Sequence, residues 1–177
     1  MPMTQQQLLQ ILPNARTEAG VFVSALNTAM QHYQIVGSKR AAALLAEIGH
    51  ESGQLRYVRE IWGPTAAQRG HEGREDLGNT VLGDGRKYCG RGLIQITGRA
   101  NYTKCGEALG LNLITHPELL ELPQHAAMSA AWFWKQNGLN DLADQDQFNT
   151  ITRRINGGLN GLADRMALWE KARAVLA

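Results

Sequence analysis

SKRAAALLAEIGHESGQLRYVRE, residues 38–60, places two carboxylates at the end of a strong helix and just beyond it. Apolar residues recur at Ala41, Leu44, Leu45 and Ile48, the three-and-four spacing of a helix with one buried face, and Ser38 is suited to cap its N-terminus. Glu51 continues that stripe, three residues after Ile48 and seven after Leu44, so a carboxyl group occupies the side turned toward the interior. There, partial burial and the negative end of the helix dipole both disfavour charge, which suits a general acid. On one unbroken helix the nine positions from Glu51 to Glu60 would set the two side chains on opposite faces. A stop at Gly53 lets the chain return with Glu60 facing Glu51 across a gap, the disposition that acid–base cleavage of a glycosidic bond requires. The competing reading makes Glu47 and Glu60 ordinary surface residues paired with Arg40, Arg56 or Arg59.

A chain of 177 residues can bury one sizeable core and is short for two, so residues 1–177 are expected to form a single catalytic domain. Hydrophobic residues make up 44% and charged ones 19%, a globular composition. Eighteen basic and 16 acidic residues leave a net charge of +2, too balanced for a nucleic-acid binder. The opening MPMTQQQLLQILPNA lacks the basic head and apolar run of a secretory signal, and no stretch has the length of a membrane span. Manufacture in the cytosol, without stable membrane insertion, is the expectation. Cys89 and Cys105 lack CxxC spacing and read as reduced thiols, with neither a disulfide framework nor a zinc site.

Thr4 and Gln7 form a capping-box pair ahead of Leu8, Leu9, Ile11 and Leu12, a short helix closed by Pro13. From Thr17, the run Phe22, Leu26, Ala29, Met30 and Tyr33 makes a second helix, expected to pack on the helix that bears Glu51. His32 reads as a surface residue. After Glu60 the chain is rich in Gly and charge with little periodicity, and a loop this long in a compact domain is usually functional. Within it Asp84-Gly85 is a turn dipeptide, and Thr80 to Leu82 with Arg86 to Tyr88 are read as a small hairpin. His71 and Glu72 have no second His at ligand spacing, and Gln54 stands where an HExxH motif would need His, so no metal site is predicted.

Tyr88 to Tyr102, YCGRGLIQITGRANY, is the second informative stretch. Leu93 to Thr97 alternates as a short strand, with Ile94 and Ile96 anchoring one side and Gln95 and Thr97 presenting an amide and a hydroxyl on the other. Farther on, helices are expected from Arg99 to Leu109, over a short piece capped by Thr115 and Glu118, and from Gln124 to Asn137. In the last of these, Trp132 and Trp134 read as core rather than sugar platforms. Phe148, Ile151 and Ile155 mark the next helix, ended by Asn156-Gly157-Gly158, and a final helix starts at Asp164. Arg165 in its first turn opposes the helix dipole, a local misfit that makes sense if the side chain serves another purpose.

His50-Glu51-Ser52, then Glu60, then Tyr88-Cys89-Gly90-Arg91-Gly92-Leu93-Ile94-Gln95-Ile96-Thr97, then Ile155-Asn156-Gly157-Gly158 and Ala163-Asp164-Arg165 resemble, in order, the signatures of the family 19 glycoside hydrolases, from about Ala41 to the C-terminus. The resemblance implies a mainly α, lysozyme-like helical domain with a small β-hairpin or short-strand element beside the active-site cleft. It also implies Tyr88, Gln95, Asn101, Asn156 and Arg165 as substrate-binding residues. Plant chitinases of the family have a much longer segment between their two glutamates. The nine positions here resemble the compact phage and prophage endolysins, which attack bacterial peptidoglycan.

The reading that follows is an inverting hydrolase of β-1,4 bonds in peptidoglycan glycan strands, acting as a monomer and without metal or organic cofactor. Glu51 serves as general acid, and Glu60 as general base on a water that Thr97 helps to hold. Release to the wall would depend on a holin-like membrane pore protein. Chitin oligomers as substrate, a lytic transglycosylase that needs no second carboxylate, and a glycan-binding helical protein without activity are the alternatives. No internal repeat or separate wall-binding module is visible.

Overall fold

The computed structural model describes all 177 residues as ten α-helices joined by turns and three short 3₁₀ segments, with no extended sheet. They are α1 (Gln5–Ile11), α2 (Glu18–His32), α3 (Ser38–Glu51), α4 (Ala66–Arg69), α5 (Asp84–Lys87), α6 (Arg99–Leu109), α7 (Pro123–Gln136), α8 (Leu139–Asp144), α9 (Phe148–Asn156) and α10 (Leu162–Leu176). The mainly helical class expected from the sequence is the class observed.

Helix α3 is the central element. Its Ala42–Gly49 segment is buried on all sides, and it packs along α10 more extensively than any other pair of helices meets. Ser38 is its first residue rather than its cap; Gly37 stands at the cap position with no side-chain bond to the helix. Helix α2, which buries Phe22, Leu26, Ala29 and Met30, packs chiefly on α7 rather than on the Glu51 helix, whose main partner is α10. Helix α7 carries Ala at 126, 127, 130 and 131 into the core beside Trp134, whose indole N–H donates to Asn140 Oδ1 at 2.9 Å. The small side chains let neighbouring helices approach, and the hydrogen bond removes the penalty of burying the indole nitrogen. Trp169 of α10 stacks on Phe148 of α9 at 4.6 Å between ring centres.

A second, smaller core lies under the non-helical part: Tyr88, Ile96, Tyr102, Cys105, Leu113 and Leu120. Three local expectations are corrected here. Asp84 and Gly85 open the one-turn helix α5 instead of turning a hairpin, because the Asp84 carboxylate is buried and bound at 2.7 Å through both oxygens by Arg99. Leu93–Thr97 is not a strand in a ladder. Ile96 folds back to pair with Arg91, which also bridges Arg59, and the residues between are turns. The expected alternation survives all the same, with Ile94 and Ile96 buried, Gln95 exposed and Thr97 half-buried. The piece expected to be capped by Thr115 is a 3₁₀ turn, Pro117–Glu121, led by His116.

Candidate active site

Glu51 is the last residue of α3, and the chain leaves it through an unusual turn. Gly53, Gln54 and Leu55 follow one another at φ of 57°, 59° and 68°, three successive left-handed residues, two of which carry side chains. Such backbone is unfavourable for Gln and Leu and persists only where surroundings hold it. Here Ser52, itself buried, accepts from the Leu55 N–H at 2.8 Å and donates to the Ile48 carbonyl at 2.6 Å. Leu55 is buried in the main core, and Gln54 Oε1 accepts from the Asn14 N–H at 2.9 Å. The helix therefore stops where Gly53 predicted, and the chain leaves it through a tight left-handed turn.

Glu60 is half-buried and held at both oxygens. Oε1 accepts from the Gly90 N–H at 2.8 Å, and Oε2 from Gln68 Nε2 at 3.2 Å, while its backbone N–H donates to the Gly90 carbonyl at 2.9 Å. Gly90 is required there by close approach: a Cβ would stand 2.4 Å from Gln95 Oε1. Glu60, Gly90 and Gln95 thus form one contiguous patch. Thr97 adjoins it, and its carbonyl accepts from Asn101 Nδ2 at 2.8 Å from one turn into α6.

Arg165 is buried and binds the Glu51 carboxylate together with the neighbouring Glu47. Its Nη2 donates to Glu51 Oε1 at 2.5 Å, its Nη1 to Glu47 Oε2, and its Nε to the Asn160 carbonyl at 3.0 Å. Glu47, fully buried, accepts a second bond from the Thr152 hydroxyl at 2.5 Å. Burial pushes the Glu47 carboxyl above the usual carboxylate range, while the Thr152 hydroxyl and the Arg165 guanidinium pull it the other way. The misfit of a cation in the first turn of α10 is thereby explained: Arg165 answers two carboxylates on α3, not the dipole of its own helix. Beside it, His50 Nδ1 lies 2.7 Å from Asp164 Oδ2, and its ring rests against Gly161, where a Cβ would come within 2.2 Å. These contacts seat the Asn156–Gly161 loop on the end of α3. Asn156 closes α9, with its Nδ2 buried and without a partner in the chain.

Over residues 37–146, more than half of the chain, the sequence matches the family described as chitinase class I, glycoside hydrolase family 19. The chain belongs to glycoside hydrolase family 19. It is 31% identical to a family 19 domain-containing protein of Haemophilus influenzae across 90% of each. It is 37% identical to an endochitinase of Arabidopsis thaliana across 77% of this chain and 46% of that one. The chain spans about half the length of the plant endochitinases it matches. Among solved structures, chitinase C of Streptomyces griseus superposes with a TM-score of 0.79 at 26% identity, covering 98% of this chain and 91% of that one. A class IV chitinase of Zea mays gives 0.68 at 27% identity, covering 86% and 80%.

Of the site residues expected of a family 19 hydrolase, the structure joins Glu51 to Arg165, Glu60 to the Gly90–Gln95 patch, and Thr97 to Asn101. Tyr88 is set apart. It is wholly buried in the smaller core and its hydroxyl donates to the Ile114 carbonyl at 2.9 Å, so it supports the patch from beneath and has no surface to offer a substrate. Three residues around the carboxylates escaped the sequence reading. Glu47 lies on the same stripe as Leu44 and Glu51, which was a signal. Ser52 and Gln68 gave none beyond membership of, respectively, a signature and a capping box. His71 and Glu72 hold no metal-like cluster; the Glu72 carboxylate accepts from the Gly83 and Gly85 N–H groups and staples the loop.

Proposed function

We propose that this family 19 glycoside hydrolase cleaves β-1,4 glycosidic bonds of peptidoglycan glycan strands by single displacement with inversion. The observation that carries the chemistry is that the two carboxyl groups belong to different elements and are held in different ways. Glu51 projects from a helix end braced by a buried guanidinium, and Glu60 from an extended segment with both oxygens hydrogen-bonded. Glu51 is suited to protonate the departing glycosidic oxygen. Glu60 is suited to take a proton from the water that attacks the anomeric carbon, and the Thr97 hydroxyl is assigned to orient that water. Gln95, Asn101 and Asn156 then offer amides to sugar hydroxyl and acetamido groups.

For the substrate, charge favours peptidoglycan over neutral chitin. Between Ser52 and Tyr102 the chain carries eight lysines and arginines against five acids, the reverse of the balance elsewhere in the molecule. Of these, Arg56, Arg59 and Arg86 are exposed and have no acidic partner. Such a surface attracts a polymer whose peptide stems bear carboxylates. The chitinase activity named for several relatives supports chitin oligomers as the second reading. Mass spectrometry of the products from purified peptidoglycan and from chitin hexamer, digested side by side, tests both. Reducing muropeptides from the wall are the expected result. Anhydro sugars would make the chain a lytic transglycosylase, and release from chitin alone would move the substrate to chitin.

A further inference from the structure

The amide of Gln68 is the most completely used polar group near the site, and the mechanism above counts only its bond to Glu60 and gives the residue no role of its own. Gln68 is 6% exposed and sits at the third position of α4. Its Oε1 accepts from the Gly63 N–H at 3.0 Å and the Thr65 N–H at 2.8 Å. Its Nε2 donates to the Ile61 carbonyl at 2.8 Å and to Glu60 Oε2 at 3.2 Å. Two backbone N–H donors and one backbone carbonyl leave the amide a single orientation, because a flipped group would set NH₂ against two N–H groups. The nitrogen therefore has to face Glu60. The turn from Ile61 to Arg69 is folded around this one side chain, and the same side chain ends on the carboxylate.

We propose that Gln68 is the positioning residue of the general base: it fixes the Glu60 carboxylate in one rotamer and keeps a donor on Oε2, so that the lone pair left for water points in one direction. This rests on the reading of Glu60 as the base. A donated hydrogen bond favours the ionised form of a carboxyl group, and Gln68 is the side chain that donates one to Glu60. The ionisable groups next to Glu60 in the chain and across the bridge are Arg59, Cys89 and Arg91, and the substitutions below leave all three in place.

Gln68→Glu is the discriminating variant. One carboxylate oxygen still accepts from Gly63 and Thr65, which keeps that half of the turn, while the other confronts both the Ile61 carbonyl and Glu60 as an acceptor. The low-pH limb of kcat/KM is expected to move up by about one pH unit, with kcat at neutral pH falling roughly tenfold. Gln68→Met, which deletes the donor without adding charge, moves the limb the same way by less and carries the test if the Glu variant does not fold. Thr65→Ala breaks the capping box from its other side without touching Glu60, and is expected to lower the melting temperature while leaving the limb in place. A limb unmoved in the folded Gln68 variants, or moved equally by Thr65→Ala, overturns the proposal. Glu60→Gln separates the two failures: if it stays active, the assignment of the base is wrong. If it is inactive while the Gln68 variants keep the wild-type profile, only the positioning role falls.

Discussion

Arg165 donates to the Glu51 carboxylate at 2.5 Å across 114 positions of the chain. The same guanidinium donates to Glu47, so one buried cation answers two carboxylates of α3 and ties α10 to the helix that carries the acid. Removing one partner of a buried charge cluster leaves the others desolvated and unpaired. Arg165→Met is expected to cost roughly 3–5 kcal/mol, which for a chain of this size lowers the melting midpoint by on the order of 10 °C. Arg165→Lys keeps the charge but cannot reach Glu47, Glu51 and the Asn160 carbonyl from one planar group, so it is expected to lose most activity while keeping more of the stability. Calorimetry and turnover on the two proteins check this. Full activity in the Lys variant would show that charge alone, without the fork, serves Glu51.

Glu47 makes stability depend on pH in an uncommon direction. Burial, the largest influence, holds its carboxyl above the 4.5 of an ordinary glutamate. A folded chain that binds this proton more tightly than the unfolded chain has the contribution in full below about 4.5, and loses it as pH rises through the raised folded value. Glu47→Gln retains the shape and does not titrate. The stability difference in favour of Gln is therefore expected to grow from pH 4.5 upward and then level off, by about 1.4 kcal/mol for each unit of upward shift. Urea denaturation of both proteins between pH 4 and 8 measures it. A difference that shrinks with pH would mean that Arg165 and Thr152 outweigh burial.

What could be read from the sequence was what repeats or stands out against a period. Glu51 announced itself by sitting on an apolar stripe, and Gly53 by the chemistry of a helix stop. Arg165 was legible as a cation at the wrong end of a helix. Glu47 sits on the same stripe and was passed over because glutamate on a helix so often pairs with a surface arginine, and nothing local reveals a partner 118 residues away. The left-handed Gln54 and Leu55 were not legible, since no side chain but glycine advertises that conformation. Asp84-Gly85 misled for a related reason: its local turn preference was overridden by the distant Arg99. Tyr88 was assigned by resemblance alone, and burial decided otherwise.

Ser52 is where that hidden turn can be tested. Its buried hydroxyl serves the Leu55 N–H and the Ile48 carbonyl together. Ser52→Ala leaves both without it, at a cost of about 1–3 kcal/mol, visible as a fall in melting temperature of roughly 2–12 °C. Because the turn joins Glu51 to the segment that carries Glu60, kcat is expected to fall by more than KM rises. Equal stability and turnover in the Ala protein would mean that Leu55 packing alone holds the three left-handed residues.

The stereochemistry of the product tests the whole arrangement. An inverting pair needs a separation of roughly 6.5–9.5 Å to admit water, against about 5–5.5 Å for a retaining pair that forms a covalent intermediate. Glu60 has both oxygens already hydrogen-bonded, which suits a base that orients water better than a nucleophile that must reach the sugar. NMR of a digest in progress is expected to show the α anomer first, with the β anomer growing in only by mutarotation. Glu51→Gln, nearly isosteric but unable to deliver a proton, is expected to fold normally and to lose roughly two to four orders of magnitude in rate. Thr97→Val keeps the shape and removes only the hydroxyl, so it should slow turnover with little change in stability. A β anomer appearing first would make Glu60 the nucleophile. In that case Thr97→Val should leave the first, bond-breaking step at its wild-type rate, since no water takes part in it.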